Sequence, residues 1–426
     1  MNRPTIDPRL PAGAATTGDG AIFVATFINS LGTGVVTNGI FFLTSGAYGF
    51  SRTQNYLLGI ILGLTYIAGA LATGPCIARL RRRGVSSRTL LLVVCTALAS
   101  LCVIPWAARR GGIEGSWPIW TLVVLYSPLT GVLWPVVEGY LSGGKSGGHL
   151  RAVMGRWNVV WSSAVVLSYW FMSPLIERHA SETILLLGLL HLGSAGLIAK
   201  TFAAEPGEHP LEAREPHPAV YAHLLVTLRI LLPVAYVVSS TLGPYLPGAL
   251  TGLGVTAWAQ TLVASLWLAP RVITFLLMER WQGWHGRWSI VVVATALLVG
   301  GFTLAVLAPL GVRLGCSNAA CLATLMAGLV LFGTGMACIY TGALYYAMEV
   351  GEAEIDSGGH HEALIGLGYA VGPLCGILPS LAASRGMMPP DAFQPVVLGA
   401  VFLILVLATG VVSRRIHALT RTPVAP

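Results

Sequence analysis

Ser146-Gly147-Gly148-His149 recurs 211 residues later as Ser357-Gly358-Gly359-His360. At the same offset Ala152 matches Ala363, Gly155 matches Gly366 and Val160 matches Val371. Backwards from the repeat, Glu138 falls on Glu349, each at the end of a long apolar run. Four matching letters arise readily in a Gly-rich chain, but further identities and a paired acid at one offset mark a half-chain repeat. In an apolar protein such a repeat points to two related bundles around a central site, the construction of secondary transporters.

Composition supplies the solvent. Of 426 residues, 55% are hydrophobic and 10% charged, where an ordinary soluble domain has about a quarter charged. Apolar runs near the ~20 residues that cross a bilayer lie at 21–44, 55–78, 89–108, 118–141, 154–176, 183–203, 222–246, 254–278, 289–310, 322–348, 363–383 and 393–413. In lipid a strand must close into a barrel to satisfy its backbone, and these runs are too long and too uniformly apolar for that. The expected fold is an all-α membrane protein, with twelve transmembrane helices in two pseudo-symmetric six-helix bundles. Residues 1–20 read as a cytoplasmic leader, 21–203 as the N-terminal bundle and 204–221 as a cytoplasmic linker. Residues 222–413 read as the C-terminal bundle and 414–426 as a cytoplasmic tail.

Basic residues set the orientation. Arg79, Arg81, Arg82, Arg83 and Arg88 crowd the loop after the second span, and the overall bias places both termini in the cytoplasm. The formal charge of +8 therefore reports topology and contact with anionic lipid, not nucleic acid. The leader, with Pro4, Pro8, Pro11 and Gly13, lacks the apolar core of a cleavable signal, so the first span reads as its own insertion signal. Cys316 and Cys321 flank an outer loop and leave a local disulfide open; the cysteines within spans read as small packing residues.

Gly74-Pro75-Cys76-Ile77-Ala78-Arg79-Leu80-Arg81-Arg82-Arg83 lies in the second loop, and Glu279-Arg280-Trp281-Gln282-Gly283-Trp284-His285-Gly286-Arg287 in its second-half mate. Both resemble the second-loop signature of the major facilitator superfamily, roughly Gly-x3-Asp-Arg-x-Gly-Arg-Arg. In the first copy Ala78 stands for the Asp and Arg81 for the second Gly. Glu138, Arg151-Ala152, Gly155 and Asn158 are similar to the same family's sugar-porter pattern of an acid, then Arg-Gly, then an amide. The resemblance covers essentially the whole chain. It implies that Glu138 pairs with second-loop arginines such as Arg79 and Arg82, with Arg151 and Arg156 as alternatives, and that Glu349 faces Arg280 or Arg287. A carboxylate at the membrane edge suits a conformational switch, since its pairing can alternate between states.

The run from Glu349 to Glu362 carries Glu352, Glu354 and Asp356 with no Lys or Arg. It either answers the arginine-rich loop across the bundles or is carried along by its neighbouring spans. With these acids, Arg271 and Glu279 complete the candidate cytoplasmic gate.

Arg229 and Arg271 lie about seven residues inside the seventh and eighth spans, roughly 10 Å deep. An unpaired arginine at the bilayer centre costs at least ~2.5–3.5 kcal/mol, so each must face the interior and find an anion. For Arg271 the reachable depth of Glu349 and Glu362 favours structural pairing; for Arg229, near the inner opening, substrate contact stays open. Nearer the midplane, Asn29, Asn38, Trp161, Tyr236, Gln260 and Tyr340 suit a polar organic ligand or interhelical hydrogen bonds. Asn29 and Asn38 are nine positions apart and lie on opposite sides of a helix. His191 reads as a bonded packing residue.

These features together describe a secondary transporter of a small organic solute, working as a monomer in the cell (inner) membrane. No metal or cofactor is expected. A coupling ion is left open, and the absence of any intramembrane Asp weakens a proton. The alternative is a polytopic enzyme acting on a lipid or lipid-linked substrate, suggested by His360-His361-Glu362. That run lacks the second helical His of a zinc protease, and no nucleophile elbow accompanies it.

Overall fold

The computed structural model describes residues 17–113, 115–145, 147–208, 217–350, 355–389 and 391–421. The leader up to residue 16, linker residues 209–216, Ser146, Glu352, Glu354 and the tail from 422 lie outside the described residues. The long apolar runs are helices. In chain order they are α1 (Asp19–Gly32), α2 (Ile40–Ala47), α3 (Arg52–Arg82), α4 (Ser87–Arg110), α5 (Trp117–Ser142), α6 (Gly147–Met172) and α7 (Ala180–Thr201). The second half holds α8 (Ala219–Gly252), α9 (Ala257–Ala264), α10 (Ala269–Arg280), α11 (Trp288–Leu307), α12 (Asn318–Glu349), α13 (Ile355–Ser384) and α14 (Phe393–Arg421).

Two runs are broken for local reasons. A π-helical turn (Thr33–Asn38) joins α1 to α2, and the Gly39 amide reaches back five residues to the Gly34 carbonyl. Pro270 at the start of α10 has no N–H with which to continue α9, and a 3-10 turn (Ser265–Trp267) takes up the break. Ser51 closes the start of α3 with Gln54 in a capping box, and Ser86 and Ser317 cap α4 and α12.

Among the described residues, eleven helical runs are long and apolar enough to cross a bilayer, and the chain is an integral membrane protein. The α6 helix, 26 residues long, is not among the eleven; its first half carries His149, Arg151, Arg156 and Asn158. The buried share of each apolar window falls from 67% in α8 and 61% in α5 to 22% in α14. That gradient separates central helices from peripheral ones, whose Leu189, Val293 and Leu403 point outward.

The two copies of the repeat occupy like places: Gly147 opens α6, and Gly358-Gly359 lie in the first turns of α13. Gly155 of α6 packs on Glu279 of α10, and its counterpart Gly366 of α13 packs on Tyr66 and Ile67 of α3. Helices meet at glycine. A Cβ at Gly63 would lie 2.2 Å from the Ala370 nitrogen, and one at Gly372 would lie 2.4 Å from the Val237 carbonyl. Without a hydrophobic drive between helices in lipid, such close backbone approach supplies the attraction. All seven cysteines are unbridged, Cys316 exposed and Cys321 buried, so the disulfide left open by the sequence is not formed.

Candidate functional site

The space between the halves is divided along its length. At the end where α3 begins and α13 finishes, side chains of the two halves bond directly. Thr53 and Ser380 share a hydrogen bond of 2.8 Å, the Tyr56 hydroxyl donates to the Thr241 carbonyl, and Trp170 Nε1 donates to Ser265 Oγ at 3.0 Å. Just inside this end, Asn38, Phe41, Tyr169, Ser240 and Trp267 line only about 20 Å³ of free space. The other end holds a cavity of about 320 Å³ between α6, α10 and α12, lined by Arg151, Gly155, Asn158, Glu279, His285 and Tyr345 among others.

Between the two ends lies a central cavity of about 60 Å³. Its walls are Ser30, Thr33, Tyr66, Trp134, Trp157 and Trp161 from the first half and Tyr236, Tyr340, Glu362, Ile365 and Tyr369 from the second. Trp161, Phe275 and Tyr340 pack ring against ring at 5.6–5.8 Å. Phe275 faces the larger cavity and the other two face the central one, so this cluster forms the partition between them. Trp161 is held by its indole N–H, which donates to Asn158 Oδ1 at 3.0 Å.

Two carboxyl groups from opposite halves meet beside this cavity. Glu138 of α5 and Glu362 of α13 lie close enough to act directly on each other, and the Tyr66 hydroxyl donates to Glu362 Oε2. Two ionised carboxylates this close in a buried site repel each other, and one shared proton relieves the repulsion. Glu138 therefore meets an acid where the resemblance implied an arginine. Arg79 and Arg82 are exposed, and it is Arg81 that engages an acid, Glu205, at 3.1 Å. Glu205 also accepts from the Ser87 amide, which ties the arginine-rich loop to the start of the linker.

Glu349 also differs in partner. It pairs with Arg151 of α6, across the halves, in place of Arg280 or Arg287, which are exposed. Beside the pair, His285 stacks on Tyr345 with ring centroids 4.2 Å apart and meets the Trp284 ring edge-on. Burial there lowers the His285 pKa below its ordinary value, with Glu349 opposing and Arg151 adding to the shift, so the ring is neutral near pH 7.

Arg271 is 3% exposed. Its guanidinium carbon lies 4.9 Å from the Trp161 ring, 5.3 Å from Trp267 and 5.9 Å from Phe275, and Tyr236 lies near enough to feel its charge. Its Nε and Nη2 have no hydrogen-bond partner among the described residues. The expected pairing with Glu349 or Glu362 is not formed, because Glu349 is taken by Arg151 and Glu362 by Tyr66 and Glu138. Arg229 sits near enough to His361 for its charge to act on that ring.

Of the midplane candidates, Trp161, Tyr236 and Tyr340 line the central cavity and Asn38 the small space beyond it. Asn29 instead holds helices together: it donates to Ser194 at 2.7 Å and accepts from His191 Nδ1 at 2.9 Å. Gln260 donates to Thr251 at 2.9 Å. Sequence reasoning missed Tyr66 and the ring box around Arg271. Trp267, Arg271 and Phe275 follow a four-residue spacing, which stacks side chains on one helix face, and that spacing was the available signal. Among the described residues no group of three His, Cys, Asp or Glu side chains is placed to hold a metal.

No protein-family profile matches this chain, and no curated protein matches it in sequence. Solved structures do match in fold. A mutant of the nucleoside transporter NupG superposes with a TM-score of 0.62 at 11% identity, covering 92% of this chain and 98% of that one. NupG itself gives 0.58 at 10% identity, with 95% and 99% covered. The human organic anion transporter MFSD10 (TETRAN) gives 0.59 at 15% identity, with 91% and 98% covered.

Proposed function

We propose that this chain, which has the fold of major facilitator superfamily transporters, is a secondary transporter moving a small organic solute by alternating access. The moving parts in this reading are two six-helix bundles, residues 21–203 and 222–413. The central cavity carries the proposal. Both halves build it, hydrogen bonds between the halves seal one end of it, and the larger cavity lies at the other.

Packing supports the two-bundle reading through pairs that the half-chain offset exchanges. The contact of α3 with α13 answers to that of α10 with α6, and α3 with α5 to α10 with α12. Likewise α1 with α6 answers to α8 with α13, and α4 with α7 to α11 with α14. Two such bundles rocking about a shared site open one end as they close the other. With the arginine-rich loop and both termini in the cytoplasm of a cell (inner) membrane, the arrangement described is inward-facing. The working unit in this reading is the monomer.

Coupling is assigned to the proton held between Glu138 and Glu362. Separating the bundles parts two acids that then no longer need to share a proton, which links proton release to the conformational change. The alternative, an enzyme acting on lipid, is disfavoured by the fold. Purified protein in liposomes, assayed across a panel of metabolites, tests the reading: net accumulation of a solute, enhanced by an inward proton gradient, is expected. Chemical turnover without movement of any solute would replace the transporter with the enzyme.

A further inference from the structure

Resting on that reading, we propose that the transported solute is a small organic carboxylate, bound through the Nε–Nη2 edge of Arg271. The geometry narrows the ligand step by step. Trp161, Trp267 and Phe275 surround the guanidinium, so its charge is sheltered by rings and its hydrogen-bonding edges are the groups left to bind a ligand. Tyr236 lies nearby, while Nε and Nη2 have no hydrogen-bond partner among the described residues, in a side chain 3% exposed. These two N–H groups point the same way in one plane, the fork that matches a carboxylate's two oxygens. A buried cation with an unfilled fork is costly unless an anion arrives to fill it.

The central cavity, whose wall residue Trp161 lies against the Arg271 guanidinium, describes the rest of the solute. Ser30 Oγ near the end of α1 and Thr33 Oγ1 in the π-helical turn after it are shielded from solvent with no hydrogen-bond partner among the described residues, and both line the central cavity. They fit a hydroxyl, carbonyl or amino group on the solute. Trp161 and Tyr340 supply flat apolar walls for a planar body. The proton shared by Glu138 and Glu362 lies at the same cavity through Glu362, so a bound carboxylate and a bound proton make a neutral addition to a low-dielectric site. Entry from the larger cavity requires the Trp161, Phe275 and Tyr340 rings to part.

The test uses purified full-length protein and matched probe pairs differing only in charge: benzoate with benzamide, and indole-3-acetate with indole-3-acetamide. Thermal stabilisation by the acids at millimolar concentration, absent with the amides, is the expected result. In R271K, which keeps the charge but loses the fork, apparent acid affinity falls by about tenfold, as for one lost charge-assisted hydrogen bond. If Arg271 is structural, the Lys variant melts lower by the same amount with and without acid, and the proposal fails. Equal stabilisation by acids and amides, or by neither, overturns it as well, and that comparison needs no variant to fold. Transport of a neutral or cationic solute at undiminished rate in R271K would refute the anion site while leaving the transporter intact. Liposomes that move no solute of any charge would instead refute the transporter.

Discussion

At the level of single side chains, the acids and arginines of this chain choose partners by azimuth as well as depth. Sequence placed Glu138 and Glu349 near the cytoplasmic ends of their spans and Arg271 about 10 Å deep with Glu349 and Glu362 in reach, so depth alone did not decide the partners. The helices are apolar on most sides, so no amphipathic stripe reveals which face turns inward. Glu138 meets Glu362, and Glu349 meets Arg151. The Arg151 and Glu349 side chains are 43% and 19% exposed, so water screens the pair and its contribution to stability is at most about 1 kcal/mol. Its larger effect is expected on rate, because it ties α6 to α12 beside the larger cavity. Glu349→Gln should leave the melting temperature within about 2 °C and solute affinity unchanged while altering the transport rate; a large loss of equilibrium binding would show that Glu349 contacts solute instead. Glu362→Gln keeps a hydrogen-bonding group against Glu138 but cannot release a proton. Proton-driven accumulation should disappear while exchange of solute across the membrane persists, and accumulation at the normal rate would remove the acid pair from coupling.

Among the helices, the span positions were legible because lipid leaves few alternatives for a backbone. Boundaries were less so. The polar start of α6 hid its first turns, since Gly147 to Val153 reads as loop by hydropathy yet is helical. The breaks at Gly39 and Pro270 were likewise invisible in the smooth apolar runs that contain them. The α3–α13 contact depends on Gly63, where an added methyl meets the backbone of Ala370 and cannot be relieved by a rotamer change. Gly63→Ala should cost about 1–3 kcal/mol of stability through overpacking. Thermal unfolding in detergent measures this, and a variant as stable as the parent would mean that the two helices separate freely at that point. Asn29 and Gln260 show the converse limit of the sequence: an amide in a span reads equally as ligand contact or as helix glue, and here both bond to neighbouring protein groups.

For the molecule as a whole, the repeat, the apolar composition and the second-loop resemblance together pointed to the fold that the solved transporters share. The chemistry of the solute was not legible, because it depends on which rings and hydroxyls converge from seven different spans. Orientation is testable directly. A cysteine placed at Ser86 should resist an impermeant thiol reagent added outside intact cells, and rapid labelling would invert the topology. The central claim is that the two ends open in alternation. Pulsed electron–electron distance measurements on spin labels test it without knowledge of the solute, using one pair at the sealed end (Gln54 and Ser384) and one across the larger cavity (Ala152 and Gln282). Across a pH series in liposomes, the account predicts two populations at each pair, with the outer distance lengthening as the inner one shortens. A single unchanging distance at both pairs, or the two lengthening together, would contradict it.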